Sequence, residues 1–73
     1  MEYLFTFGGN HLKAGYCQPI FAEDYGKARM KMFDLFGDKW GFQYSRAEWD
    51  RMKNDPTRRW EMEIELPAIK EDD

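Results

Sequence analysis

Between Arg59 and Leu66 the chain alternates strictly. Trp60, Met62, Ile64 and Leu66 hold one set of positions, and Arg59, Glu61, Glu63 and Glu65 hold the other. An apolar residue at every second place marks a strand with one face on a core and one in solvent. Such a strand needs a neighbour to pair with and a layer to cover its apolar side. Tyr3-Leu4-Phe5-Thr6-Phe7 supplies a second aromatic-rich alternating run, and Gly8-Gly9-Asn10 after it is a turn signal. A further strand is expected from about Gly15 to Ala22, so that 3–22 forms a hairpin with a loop of roughly six residues. Pro19 lies inside that strand and has no N–H to donate, which predicts an edge strand or a bulge.

The covering layer is written at a different period. Tyr25, Ala28, Met32, Leu35 and Phe36 share one helical face, with Asp24 placed to cap the start and Gly37 to stop the end. Trp40, Phe42 and Tyr44 then alternate with Gly41 and Gln43 as a short extended segment. Ser45 and Glu48 have the spacing of a capping box. Tyr44 and Trp49 stand where a hydrophobic staple would, so a second helix is expected over about 46–53, ended by Asn54-Asp55-Pro56. Pro67 closes the last strand, leaving 68–73 as a frayed acidic tail. The expected architecture is α+β: one domain over 1–67, element order ββαβαβ, and a small twisted antiparallel or mixed sheet with the longer helix on one face.

Composition agrees with a folded core. Four tyrosines, six phenylalanines and three tryptophans in 73 residues give the chain far more apolar area than a disordered segment carries. The net charge of −3 falls wholly within 57–73 and speaks against direct nucleic-acid or anionic-membrane binding. A lone cysteine allows no internal disulfide, and apolar runs are far short of the roughly 20 residues that span a bilayer. Met1-Glu2-Tyr3 has no basic region followed by an apolar stretch. The expectation is a cytoplasmic protein without a cofactor.

Four constellations bear on function. His11 and Cys17, the only residues of their kinds, would need hydrogen-bond reach to act as a nucleophilic pair; a loop histidine and a small half-buried thiol is the plainer reading. Together they are also too few for a structural zinc site. Gly8, Gly9 and His11 could present backbone N–H groups to a phosphate, with Arg58 or Arg59 completing an anion site, although two glycines between strands are ordinary turn chemistry. Glu61, Glu63 and Glu65 would form an outward acidic row with a spacing of roughly 6.6–6.8 Å. That row suits a basic partner surface or imitates a phosphate backbone; otherwise it is a solvated sheet face. The aromatics Tyr3, Trp40, Phe42, Tyr44 and Trp49 could stack bases, but alternation and the staple account for most of them as core.

Ala28-Arg29, Met32, Phe36-Gly37-Asp38-Lys39-Trp40-Gly41-Phe42-Gln43-Tyr44 and Trp49, preceded by an aromatic hairpin, resemble a family of small phage- and prophage-encoded proteins of unassigned function. The likeness extends over most of 3–52 and is one of structural pattern, with no catalytic or binding residue to carry over. It implies an anti-defence factor. The leading expectation is therefore a non-enzymatic, phage-derived protein that inhibits a host defence component by stoichiometric contact, with Glu61, Glu63 and Glu65 meeting a basic host surface. The alternatives are an oligomeric sequestering protein for a nucleotide messenger, using the Gly8-Gly9 loop and an arginine, and a small structural interaction module.

Overall fold

A computed structural model describes residues 1–58 and 62–72 of the chain. The elements are β1 (Glu2–Phe7), β2 (Tyr16–Phe21), α1 (Tyr25–Phe36), β3 (Trp40–Ser45), α2 (Arg46–Lys53), β4 (Ile64–Glu65) and β5 (Ile69–Lys70). The fold is α+β, and the sheet is mixed. β1 pairs antiparallel with β2 on one side and with β3 on the other, while β4 and β5 both run parallel to β2. The spatial order is β3-β1-β2-β4, with β5 also against β2.

Pro19 is therefore not on an edge. It sits opposite Leu4 in a strand paired on both sides. Alternation explains how this is tolerated. Gly15, Cys17 and Phe21 turn their carbonyls away from β1, accepting from Ile64 at 3.0 Å, Leu66 at 2.9 Å and Glu71 at 2.9 Å. Pro19 belongs to the same outward set, so its missing N–H faces the interval between β4 and β5. Gln18 bridges that interval: its Nε2 donates to Pro19 O at 2.9 Å and to Pro67 O at 2.8 Å. Two prolines that cannot donate thus break one parallel strand into two, and a buried amide spans the break.

This corrects the reading of the C-terminus. The long final strand expected over 59–66 reduces to Ile64–Glu65 among the described residues, and residues 68–72 are not a free tail. Ile69 and Lys70 pair with Ile20 and Phe21, and the Glu71 carboxylate accepts the Glu23 N–H at 2.7 Å. Trp60, at the head of the alternating run, lies outside the described residues. The single apolar face does not form either. Leu66 packs with Tyr3, Phe5, Phe7 and Ile20, whereas Met62 packs with Leu4, Cys17 and Trp49 on the opposite side of the sheet.

Both sheet faces are covered. Tyr3, Phe5 and Phe7 of β1 meet Ala28 and Met32 of α1. Leu4 and Cys17, alternate to them, meet Trp49 of α2. A buried tryptophan truncated to alanine costs about 3–5 kcal/mol, so Trp49 carries much of this second layer. α1 buries less than its stripe predicts: Ala28 and Met32 are buried, while Tyr25 and Leu35 stay exposed.

The local signals act as expected. The Asp24 carboxylate accepts the Lys27 N–H at 2.8 Å, and Gly37 ends α1 at φ 63°, ψ −136°, a conformation suited to glycine. Ser45 and Glu48 exchange both capping-box bonds, and the Tyr44 and Trp49 rings lie 5.7 Å apart. The hairpin loop is longer than expected, spanning 8–15.

Candidate functional site

The capped start of α2 determines the surface around it. Ser45 accepts the Glu48 N–H at 3.1 Å, and Glu48 accepts the Ser45 N–H at 3.0 Å. That pair fixes the angle at which α2 leaves β3 and drives Trp49 into the sheet. Met52, one turn later, stops at half-burial over the same cluster. Between β3, α2 and the segment after α2 lies an open cleft of about 350 Å³, where Tyr44 and Met52 meet Arg51, Arg58, Glu48 and Asp55. A second hollow of about 240 Å³ adjoins it through Tyr44, Met52 and Arg58 and extends to Phe42 and Met62. Phe42 is 69% exposed, with its ring 6.4 Å from that of Tyr44.

The floor of this cleft is aromatic and thioether, and its rim carries both signs. Two hydrogen bonds from Ser45 hold the Glu48 carboxyl below the usual glutamate range. The Thr57 N–H and hydroxyl, at 2.9 and 2.7 Å, do the same for Asp55. Both rim acids are charged at neutral pH, opposite Arg51 and Arg58. Such a surface can seat an apolar anchor and orient the ionic groups around it.

The acidic row expected from alternation is not an outward face. Glu65 lies beside Cys17, on the α2 side of the sheet, and its neighbour Ile64 is the exposed one, at 64%. Both Glu65 oxygens are gripped by Arg46, from Nη2 at 2.8 Å and Nη1 at 3.0 Å. Arg46 also donates to both oxygens of Glu2, at 2.8 and 2.9 Å, and to Asp50 at 3.2 Å. The guanidinium drives the Glu65 pKa down, and the carboxylates raise that of Arg46. Glu63 is half-buried, and Glu61 lies outside the described residues. The physical reason is the parallel register with β2, which alternation within one strand does not encode.

Nor is the proposed anion site brought together. Gly8, Gly9 and His11 turn the hairpin. The His11 ring stacks on Phe7 at 4.7 Å, on the α1 side of the sheet, and its Nδ1 accepts the Lys13 N–H at 3.0 Å. Arg58 lines the cleft on the α2 side, and Arg59 lies outside the described residues. Cys17 faces the α2 layer, so the sheet separates it from His11. Burial, with the Glu65 and Glu63 charges adding to it, pushes the Cys17 thiol up to about 12, which keeps it protonated. Among the described residues, no group of His, Cys, Asp and Glu side chains is disposed to hold a metal ion, and no helix is long and apolar enough to cross a membrane.

The alternation reading missed two features. The Arg46 cluster joins residues 2, 46, 50 and 65, and only the Arg46–Asp50 spacing of four leaves a trace in the sequence. The cleft depends on how α2 sits across β3; the staple signal at Tyr44 and Trp49 is its one local indication. No family model matches the chain, and no curated protein or solved structure matches it.

Proposed function

We propose that this chain is a non-enzymatic binding protein that occupies a surface of a partner protein through the Phe42–Tyr44–Met52–Arg58 cleft. The observation that carries the reading is Phe42, a 69% exposed aromatic beside an adaptable methionine floor and between charges of both signs. Interfaces concentrate binding energy in aromatic and arginine side chains at the centre of such a patch, and thioethers adapt to irregular partners. The partner is a protein offering an apolar anchor flanked by a carboxylate to meet Arg58 or Arg51. The resemblance to small phage proteins supports a host defence component as that partner, inhibited by stoichiometric contact within the host cytoplasm.

A second reading is favoured by Arg51 and Arg58 standing beside Tyr44, an arrangement that could stack a base and hold its phosphate. Sequestration of a nucleotide messenger remains the alternative on that ground.

The test uses Arg58→Glu and Phe42→Ser, with Phe33→Ser on exposed α1 surface as control. Proteins captured from host lysate are purified, and binding of each variant to them is titrated. The proposal expects at least tenfold weaker binding for the two cleft variants and none for the control. Equal binding by all of them removes the cleft. Saturable binding from a nucleotide panel, lost in Arg58→Glu, moves the assignment to the second reading.

A further inference from the structure

Among the described residues β3 is an edge strand, and apart from the irregularity opposite Thr6 it lacks the devices that usually keep an edge solitary. Trp-Gly-Phe-Gln-Tyr-Ser carries no charge and no proline. Its outward groups follow from the ladder. Met1 and Ala22 exchange hydrogen bonds at 2.8 Å in both directions, so odd residues of β1 face β2 and even residues face β3. Leu4 is opposite Tyr44, which places Tyr44 toward β1 and Gln43 away from it. Gln43 N–H and C=O point off the sheet. On either side of it the edge is already committed. The Ser45 N–H is held by Glu48, and a register shift opposite Thr6 takes Gly41 out of the regular row, with Thr6 Oγ1 accepting the Phe42 N–H at 3.1 Å.

One residue with both groups outward, in an uncharged strand, is self-complementary. We propose that the chain forms a two-fold dimer by antiparallel pairing of β3 with β3 of a second copy, with Gln43 at the axis. Each Gln43 then donates to and accepts from its counterpart. The same register sets Phe42 of one copy directly across from Tyr44 of the other, twice, on the α2 side. Aromatic pairs in that position stabilise antiparallel strands, and here they cover a ring that is 69% exposed in the single chain. The two sheets become one continuous sheet, and the two clefts adjoin across the axis. The pairing rests on β3 and shares Phe42 with the cleft, so Arg58, which lines the cleft from outside β3, is the residue that separates the two readings.

Sedimentation equilibrium of the full chain from micromolar to millimolar concentration, with amide exchange at Gln43 measured at both ends, tests the proposal. A dimer is expected, with the Gln43 N–H more protected at high concentration. Gln43→Pro removes only an outward donor from the ladder, and losing the two symmetric bonds weakens association roughly 30-fold. Phe42→Lys puts a charge at the edge and weakens it as well. Circular dichroism checks that each variant is folded. If Gln43→Pro does not fold, Phe42→Lys and the Gln43 amide decide. A monomer up to about 1 mM, or a dimer whose Gln43 amide exchanges freely, overturns the pairing. Since Arg58 is not in β3, Arg58→Glu changes partner binding without changing association, and the two proposals fail separately.

Discussion

Arg46 grips Glu65 with two parallel hydrogen bonds, Nη2–Oε1 at 2.8 Å and Nη1–Oε2 at 3.0 Å, and so ties the first turn of α2 to β4. The forked geometry matches guanidinium to carboxylate, and Glu2 engages the remaining edge in the same manner. Three segments far apart in the chain meet at one side chain. A residue that alternation assigns to solvent holds the fold together.

Glu65→Gln keeps the shape and removes the charge. Arg46 retains Glu2 and Asp50, so the expected loss is about 1–2 kcal/mol in urea unfolding. Glu63→Gln, which breaks no hydrogen bond or ion pair found among the described residues, is expected within about 0.5 kcal/mol of the parent. Equal effects at the two positions would refute the latch.

The same pair sets a pH dependence. The folded-state pKa of Glu65 is depressed, chiefly by its hydrogen bonds to Arg46. Its contribution is present above the ordinary glutamate value and lost as pH falls through the depressed one. Acid titration of stability should therefore be shallower in Glu65→Gln than in the parent, and the stability difference between the two, largest at neutral pH, should shrink as pH falls through the depressed value.

Gln18 is 3% exposed and spans the carbonyls of Pro19 and Pro67. Gln18→Leu leaves both carbonyls without that donor and should cost about 1–3 kcal/mol. Hydrogen exchange at Glu71, whose N–H bonds Phe21 O, should rise more than exchange at Leu4. Uniform change across the chain would mean that the amide does not hold the β4–β5 interval.

Ser45→Ala removes the acceptor of the Glu48 N–H and half of the capping box. The expected loss is about 0.5–2 kcal/mol. Thermal unfolding indistinguishable from the parent would show that Trp49 packing alone positions α2.

Cys17 is fully buried, and its thiol is pushed up to about 12. In the native protein it should react with a disulfide reagent at neutral pH no faster than the chain opens. Cys17→Ser should cost about 1–3 kcal/mol, since a hydroxyl replaces a thiol in an apolar layer. Prompt labelling of the folded protein would contradict the burial.

What was legible in the sequence is what neighbours along the chain decide. Asp24 and Gly37 bound α1, Ser45 and Glu48 start α2, and period 2 at Tyr3–Phe7 marks β1, because caps, turns and side-chain alternation act over a few residues. Tertiary structure decided where each face points. Pro19 reads as an edge residue until β4 and β5 divide around it. Glu65 reads as exposed until the parallel register with β2 brings it to Arg46. Met62 and Leu66 read as one face until packing sends them to opposite layers. The cleft at Phe42, Tyr44 and Arg58 likewise exists only once α2 lies across the sheet. Alternation states that two sides differ; which side is buried depends on pairing energies between residues tens of positions apart, and no local pattern carries that information.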